Sequence, residues 1–205
     1  MVPVTCASDP VRGPRRGVES WLSGADWIRS PSVVPSTTDG SRGHRPICTR
    51  LPHQDDGTAL WALARANGLD ENSPYAYLMW AEYFAATSIV GEVDDTLVGF
   101  VTGFAVPARP DTLFVWQVGV DEAQRGRGIG SQLLDALVRR HPHVRYLEAT
   151  VTPTNSASAA LFRGFGDRHG ASVDERELFG AHLFPAGHEA EVLFRIGPVE
   201  GASTT

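Results

Sequence analysis

Val118-Gly119-Val120-Asp121-Glu122-Ala123-Gln124-Arg125-Gly126-Arg127-Gly128-Ile129-Gly130-Ser131 is the stretch that decides the fold. An apolar strand runs into a short polar loop, and Arg125-x-x-Gly128-x-Gly130 opens a helix. Glycines let several backbone N–H groups converge on one anion, because no Cβ blocks the approach. A helix N-terminus adds partial positive charge. Arg125 and Arg127 bring cationic donors to the rim. The turn reads either as a pyrophosphate cradle or as a tight strand-to-helix connection with no ligand. Two other cradles are excluded. The dinucleotide fingerprint G-x-G-x-x-G does not fit the spacing of Gly126, Gly128 and Gly130. The nucleotide-triphosphate loop needs a lysine, and all 18 cationic side chains of this chain are arginines. The same lack removes Schiff-base lysine chemistry and pyridoxal phosphate enzymes.

Downstream, residues 128–140 place Ile129, Leu133, Leu134 and Leu137 on one helical face. A strand over 144–152, a helix over 156–165 and a last strand over 192–196 follow. Upstream, residues 112–120 are nearly all apolar, which predicts a central strand covered on both faces. Alternation along it puts Trp116 and Val118 on one face and Gln117 on the other. Strands over 87–93 and 97–106 flank Asp94-Asp95-Thr96, a hairpin signal. Before them, Asn72-Ser73-Pro74 starts a helix with Tyr77, Leu78, Ala81 and Phe84 inward. An earlier helix carries Leu60, Trp61, Leu63 and Ala64 and ends at Gly68, and 47–51 is a short strand. Asp174, Glu175 and Glu177 read as a solvated face. The order β, α, α, β, β, β, α, β, α, β predicts an α/β or α+β domain: a mixed sheet covered by helices.

The 205 residues are enough for one buried core. Residues 1–44 are rich in Pro, Gly and Ser with no sustained period, and are expected to be a disordered extension. The domain is expected over 45–198, with 199–205 a flexible tail. A net charge of -6 argues against a nucleic-acid partner. No run of about 18 apolar residues suggests a membrane helix, and nothing at the start reads as a secretory signal. A cytoplasmic location is the expectation. Cys6 and Cys48 lack metal-ligand spacing, and His141, His143 and His169 fit no ligand set, so no metal is expected.

Strand, Arg125-x-x-Gly128-x-Gly130, helix, strand, and Pro153-Thr154-Asn155 opening another helix resemble the GNAT acetyltransferase family, over about residues 47–196. The resemblance implies a mostly antiparallel, mixed sheet of about six to seven strands and acetyl-CoA as co-substrate. It implies that Arg125, Gly126, Arg127, Gly128, Gly130 and Ser131 cradle the pyrophosphate. Val118 and Val120 would hold the pantetheine arm through their backbones, and Asn155 would help hold CoA. One departure stands out: many members carry a Tyr seven residues after that Asn, and here the position is Phe162. Phe162 cannot protonate a departing thiolate. A thiol pKa near 8.5 leaves room for unassisted departure.

Four stretches, 69–77, 113–118, 151–158 and 187–194, further resemble the branch that acetylates L-2,4-diaminobutyrate for ectoine biosynthesis. That resemblance implies a homodimer, a small amino-acid acceptor and a role in osmotic stress. An ammonium has no lone pair, so such a reaction needs a base. Asp70 would bind an ammonium or relay a proton; otherwise it caps a helix. Tyr75 would bond the substrate carboxylate; otherwise it packs as a half-buried aromatic. Trp116 would wall the pocket; otherwise it is core. His188 would relay protons; otherwise it is a surface residue. Glu191 and Glu148 rank behind these four. Cys6 lies in the N-terminal extension and Cys48 has no adjacent base, so no acyl-enzyme is expected. Another small diamino acid or polyamine is the alternative acceptor, and a non-catalytic CoA-binding module is the alternative class.

Overall fold

The computed structural model describes residues 46–70 and 72–199. The extension over 1–44 and residues 200–205 of the tail lie outside the described residues. The chain builds β1 (Cys48–Arg50), α1 (Gly57–Ala66), α2 (Pro74–Tyr83), β2 (Ile89–Val93), β3 (Thr96–Val106) and β4 (Arg109–Val120). It continues through α3 (Ile129–Arg139), β5 (Tyr146–Val151), α4 (Ser156–Arg168), β6 (Val173–Phe179) and β7 (Glu191–Ile196). The strands form one sheet in the order β1-β2-β3-β4-β5-β7-β6. All neighbours are antiparallel except β4 and β5. The architecture is the GNAT-like mixed sheet that the sequence predicts. No helix among the described residues is long and apolar enough to cross a membrane.

Two apolar layers sandwich the sheet. On one face Leu133, Leu134 and Leu137 of α3 and Phe165 of α4 are fully buried against Val101, Leu113 and Leu147. Each such side chain contributes about 1.5–3 kcal/mol of transfer free energy. On the other face Leu60 of α1 and Tyr77 of α2 pack with Val90 and Phe100. Tyr77 meets Phe100 edge-on, with ring centroids 6.3 Å apart. Pro74 sits in the first turn of α2, where its missing N–H costs nothing. Val199 is also buried, and its N–H bonds the Arg145 carbonyl at 2.8 Å.

The central strand departs from simple alternation. Thr102 pairs with Gln117, but Gly103 pairs with Val115, so Trp116 is one extra residue on β4. This β-bulge turns the side chains beyond it by one position. Trp116 lies 5.8 Å from the ring of Trp80 on α2, whereas Val118 packs on the α3 side. Trp116 and Gln117 therefore share the α2 face, and the expected pairing of Trp116 with Val118 is wrong. Gly103 permits the close approach at the bulge. A Cβ there would meet the Phe114 carbonyl oxygen at 2.7 Å. Its N–H donates to Ser88 Oγ, and its carbonyl accepts from Thr87 Oγ1 at 2.6 Å.

One further expectation needs correction. The central strand is not covered on both faces, since Trp116 is 51% exposed. Asp174, Glu175 and Glu177 are exposed, the solvated face that the sequence suggests, and they belong to an edge strand, β6, that the sequence reading did not assign. None of its residues is buried, so hydrophobic alternation gave no strand signal. Its charges suit an edge that must not recruit another strand. Arg163 of α4 grips Glu175 with two bonds of 2.7 and 2.8 Å.

Thr102, opposite Gln117, carries a buried Oγ1 with no hydrogen-bond partner among the described residues. An unpaired buried hydroxyl costs about 1–3 kcal/mol. Thr102→Val is expected to raise stability by about 1 kcal/mol in urea unfolding. A loss of stability would show that the hydroxyl is satisfied.

Candidate active site

Strands β4 and β5 run side by side only from Thr112 to Val115 against Tyr146 to Ala149. Beyond that point β4 stays with β3 as far as Val120, while Thr150 and Val151 stay with β7. The two central strands splay, and a cleft of about 230 Å3 opens between them. The β4 edge from Trp116 to Val120 has no β5 partner, so an extended ligand arm can lie along it. Asp70, Trp116 and His188, three of the residues singled out from the sequence, all line the cleft. Val118 and Asn155 line it too.

Tyr75 does not. It sits in the first turn of α2 with 66% of its surface exposed, outside the cleft lining. Glu148 is also elsewhere. It is buried on β5, bonded to Arg109 at 2.6 Å and to Arg195. Its carboxylate is engaged by two guanidinium groups and does not face the cleft. Glu191, ranked lower from sequence, lines the cleft and accepts a hydrogen bond from Thr150. Gln117 and Thr150 line it as well, and sequence reasoning missed both. The available signal for Gln117 was an amide alone in an apolar strand.

His188 is oriented from two sides. Its ring stacks on Phe184, centroids 4.1 Å apart, and its Nδ1 lies 2.6 Å from the Glu189 carbonyl oxygen. A carbonyl only accepts, so Nδ1 carries the proton, and in the neutral ring Nε2 keeps the lone pair. The Glu189 side chain in turn bonds the Thr154 hydroxyl, tying this loop to the one after β5. Asp70 and Glu191 are the acidic residues of the cleft lining, which holds no arginine among the described residues. The ionisable side chains of the lining are therefore acidic, with His188 beside them.

The glycine turn lies at the start of α3. Gly126 and Gly128 have φ of 76° and 69°, the left-handed region that a side chain resists. Gly128 is the N-cap of α3, and no side chain caps the helix. The first N–H groups of α3 are therefore available to an anion. Gln132 Nε2 donates to the Arg127 carbonyl at 3.2 Å and steadies the turn. Arg125 reaches Asn67 Oδ1 at 2.8 Å, and Arg127 bonds Gln124. Asn155 caps α4 by accepting from the Ser158 N–H at 3.0 Å, which leaves its NH2 group unused by the cap. Phe162 is buried and lines the cleft. Cys48 on β1 is not a free thiol.

Residues 57–166 match the model of the acetyltransferase (GNAT) family. The L-2,4-diaminobutyric acid acetyltransferase of Halalkalibacterium halodurans is 48% identical over 171 residues, covering 82% of this chain and 88% of that protein. The enzyme of the same name from Streptomyces coelicolor is 48% identical over 154 residues, covering 72% and 91%. Among solved structures, the diaminobutyrate acetyltransferase EctA from Paenibacillus lautus, in complex with its substrate L-2,4-diaminobutyric acid and coenzyme A, superposes with a TM-score of 0.73. It is 40% identical, covering 76% of this chain and 97% of that one. An N-acetyltransferase from Staphylococcus aureus is 20% identical with a TM-score of 0.59, covering 74% and 98%, and shares the fold.

Burial pushes the Glu191 carboxyl above its ordinary range, against the opposing hydrogen bond from Thr150 and the attraction of His188. The nearby charges of Asp70 and Glu189 push the same way as burial. The folded state thus holds this proton more tightly than the unfolded chain. Stability is lost as pH rises from the ordinary carboxylate value, about 4.3, through the raised one. Glu191→Gln removes the charge and keeps the shape. The variant is expected to melt at a higher temperature than wild type near neutral pH, with the difference closing toward about pH 4. Equal melting temperatures throughout would show an unstrained carboxylate.

Proposed function

The chain belongs to the GNAT acetyltransferase family, and from that premise we propose that it moves the acetyl group of acetyl-CoA to the 4-amino group of L-2,4-diaminobutyrate. The products are N4-acetyl-L-2,4-diaminobutyrate and CoA. The observation that carries this reading is the charge of the cleft: Asp70 and Glu191 with no arginine lining it among the described residues. The substrate bears two ammonium groups and one carboxylate, so it enters as a cation. The relatives of this name, 48% identical over most of their length, support the choice of acceptor.

Acetyl-CoA is held at its pyrophosphate by the turn over 125–131: by the amides of Gly126, Gly128, Gly130 and Ser131, with Arg125 and Arg127 at the rim. Its pantetheine arm lies along the open edge of β4, on the backbones of Val118 and Val120, beside Asn155. Asp70 takes an ammonium of the acceptor, Trp116 walls it, and Tyr75 bonds its carboxylate from the rim. His188 Nε2 or the Glu191 carboxylate accepts a proton from the 4-ammonium. The freed nitrogen lone pair attacks the thioester carbon, a C–N bond forms, the C–S bond breaks, the electron pair leaves on sulfur, and the nitrogen sheds its second proton to solvent as it becomes the amide. Phe162 has no proton to give, so CoA departs as the thiolate, which its acidity allows. No covalent acyl-enzyme is involved.

We further infer that residues 45–198 are the catalytic domain, that the protein works in the cytoplasm on its acetyl-CoA pool, and that its product serves the osmotic-stress response through ectoine. We also infer a homodimer, supported by exposed Tyr75, Leu78 and Tyr83 on α2 and exposed Trp116 on β4. Light scattering reads its mass directly.

The deciding experiment is thiol release from acetyl-CoA with L-2,4-diaminobutyrate, with NMR of the product to place the acetyl group. Release with acetylation on N4, and slower release with ornithine, is expected. Acetyl-CoA binding without acceptor-dependent release would favour a non-catalytic module. Gly128→Val strains the left-handed position and puts a branched side chain beside the anion. It is expected to raise the acetyl-CoA KM by about tenfold or more, the factor for about 1.4 kcal/mol of lost binding. An unchanged KM would move the pyrophosphate elsewhere.

A further inference from the structure

Gln117 is a buried amide in an otherwise apolar run, turned to the α2 face by the bulge at Trp116. Its Oε1 accepts from the Tyr77 hydroxyl at 3.0 Å. Its Nε2 donates to the backbone carbonyl of Asp70 at 3.3 Å. The same carbonyl accepts from Asn72 Nδ2, also at 3.3 Å. The Asn72 side chain is hydrogen-bonded to the Tyr77 hydroxyl as well. Tyr77 itself is 1% exposed and locked edge-on against Phe100. A line of contacts therefore runs from a core ring, through a hydroxyl and an amide, to the carbonyl of the residue that faces the acceptor.

The chemistry requires an amide at position 117. The Asp70 carbonyl needs a donor, and the Tyr77 hydroxyl needs an acceptor. An ionised Glu supplies no donor, and an apolar side chain supplies neither group. Tyr77 stays a phenol, because burial above all raises its pKa. Loops are the mobile parts of a fold, and a carboxylate on one binds well only if its backbone is held.

We propose that Gln117 is a positioning residue for the acceptor. It clamps the Asp70 turn to β4, so that the carboxylate of Asp70 and the wall of Trp116 stand at a set distance from the β4 edge where the thioester lies. The proposal rests on the acceptor reading given above. It adds that acceptor binding, and not acetyl-CoA binding, depends on a side chain under the loop.

The test is steady-state kinetics of Gln117→Leu, Tyr77→Phe and Asn72→Ala beside wild type, varying diaminobutyrate and acetyl-CoA separately, with amide hydrogen exchange at Leu69 and Asp70. Tyr77→Phe keeps the packed ring, and Asn72→Ala lies off the core, so either reads the network if Gln117→Leu fails to fold. The diaminobutyrate KM is expected to rise about tenfold in Gln117→Leu and less in the others, the size of one or two lost buried hydrogen bonds. The acetyl-CoA KM is expected to stay within about twofold, and exchange at Asp70 to speed up. Unchanged KM values, or equal changes for both substrates, overturn the proposal, as does unchanged exchange. A wild-type protein that releases no thiol with diaminobutyrate refutes the acceptor reading itself, and the exchange measurement then still decides whether Gln117 holds the turn.

Discussion

One extra residue in β4 governs the arrangement of the acceptor end. A strand of strict period two cannot send consecutive side chains to one face. The bulge at Trp116 does so, because β3 advances one residue where β4 advances two. Trp116 is thereby turned out beside Trp80, and Gln117 is turned in toward Tyr77. The same irregularity lies one residue past the point where β4 and β5 stop pairing. The cleft, its aromatic wall and the support for Asp70 thus follow from one local change of register. Gly103 is the residue on β3 that tolerates it, since any Cβ would run into backbone oxygens.

The acidic cleft and the glycine turn are separate features of the structure. Asp70, Glu191 and an oriented histidine line the cleft. The glycine turn, the uncapped N-terminus of α3 and the neighbouring Arg125 and Arg127 lie outside that lining. The loop carrying His188 is tied through Glu189 to Thr154, beside the helix cap Asn155. The His188 loop is in this way held to the turn that opens α4. A net charge of -6 gives an anion no general attraction, so one at the start of α3 would rely on locally placed amides, not on overall charge.

Much of this was legible in the sequence. Helical spacing located α3, and the glycine pattern located its ligand-ready start, because both signals are local. The hairpin at Asp94-Asp95 was legible for the same reason: both residues adopt positive φ, which Asp tolerates better than most. What failed was non-local. The bulge depends on the match between two strands, and nothing within Phe114–Val120 alone announces it. Edge strand β6 buries nothing, so its pairing with β7 leaves no mark in its own hydrophobic pattern. Glu148 and Glu191 look alike in sequence. Their environments separate them: two guanidinium groups enclose the first, and a cleft surrounds the second. Tyr75 stands exposed outside the cleft lining, a direction that its spacing from Asp70 does not set.

The ion pairs of this fold divide into two kinds that respond differently to ionic strength. The Glu148 carboxylate is buried and bonded by Arg109 and Arg195, whose own side chains stay partly exposed, so salt screens this cluster less than a pair standing in solvent. Arg163 and Glu175 meet on the surface beside β6. Screening shortens from about 8 Å at physiological salt to about 3 Å at 1 M. In a concentrated electrolyte the surface pair weakens most, while the contacts of buried Glu148 weaken less and the apolar layers persist. The join between β4, β5 and β7 beneath the cleft is then the part of the sheet whose electrostatics change least, and the guarded edge at β6 is the part that changes most.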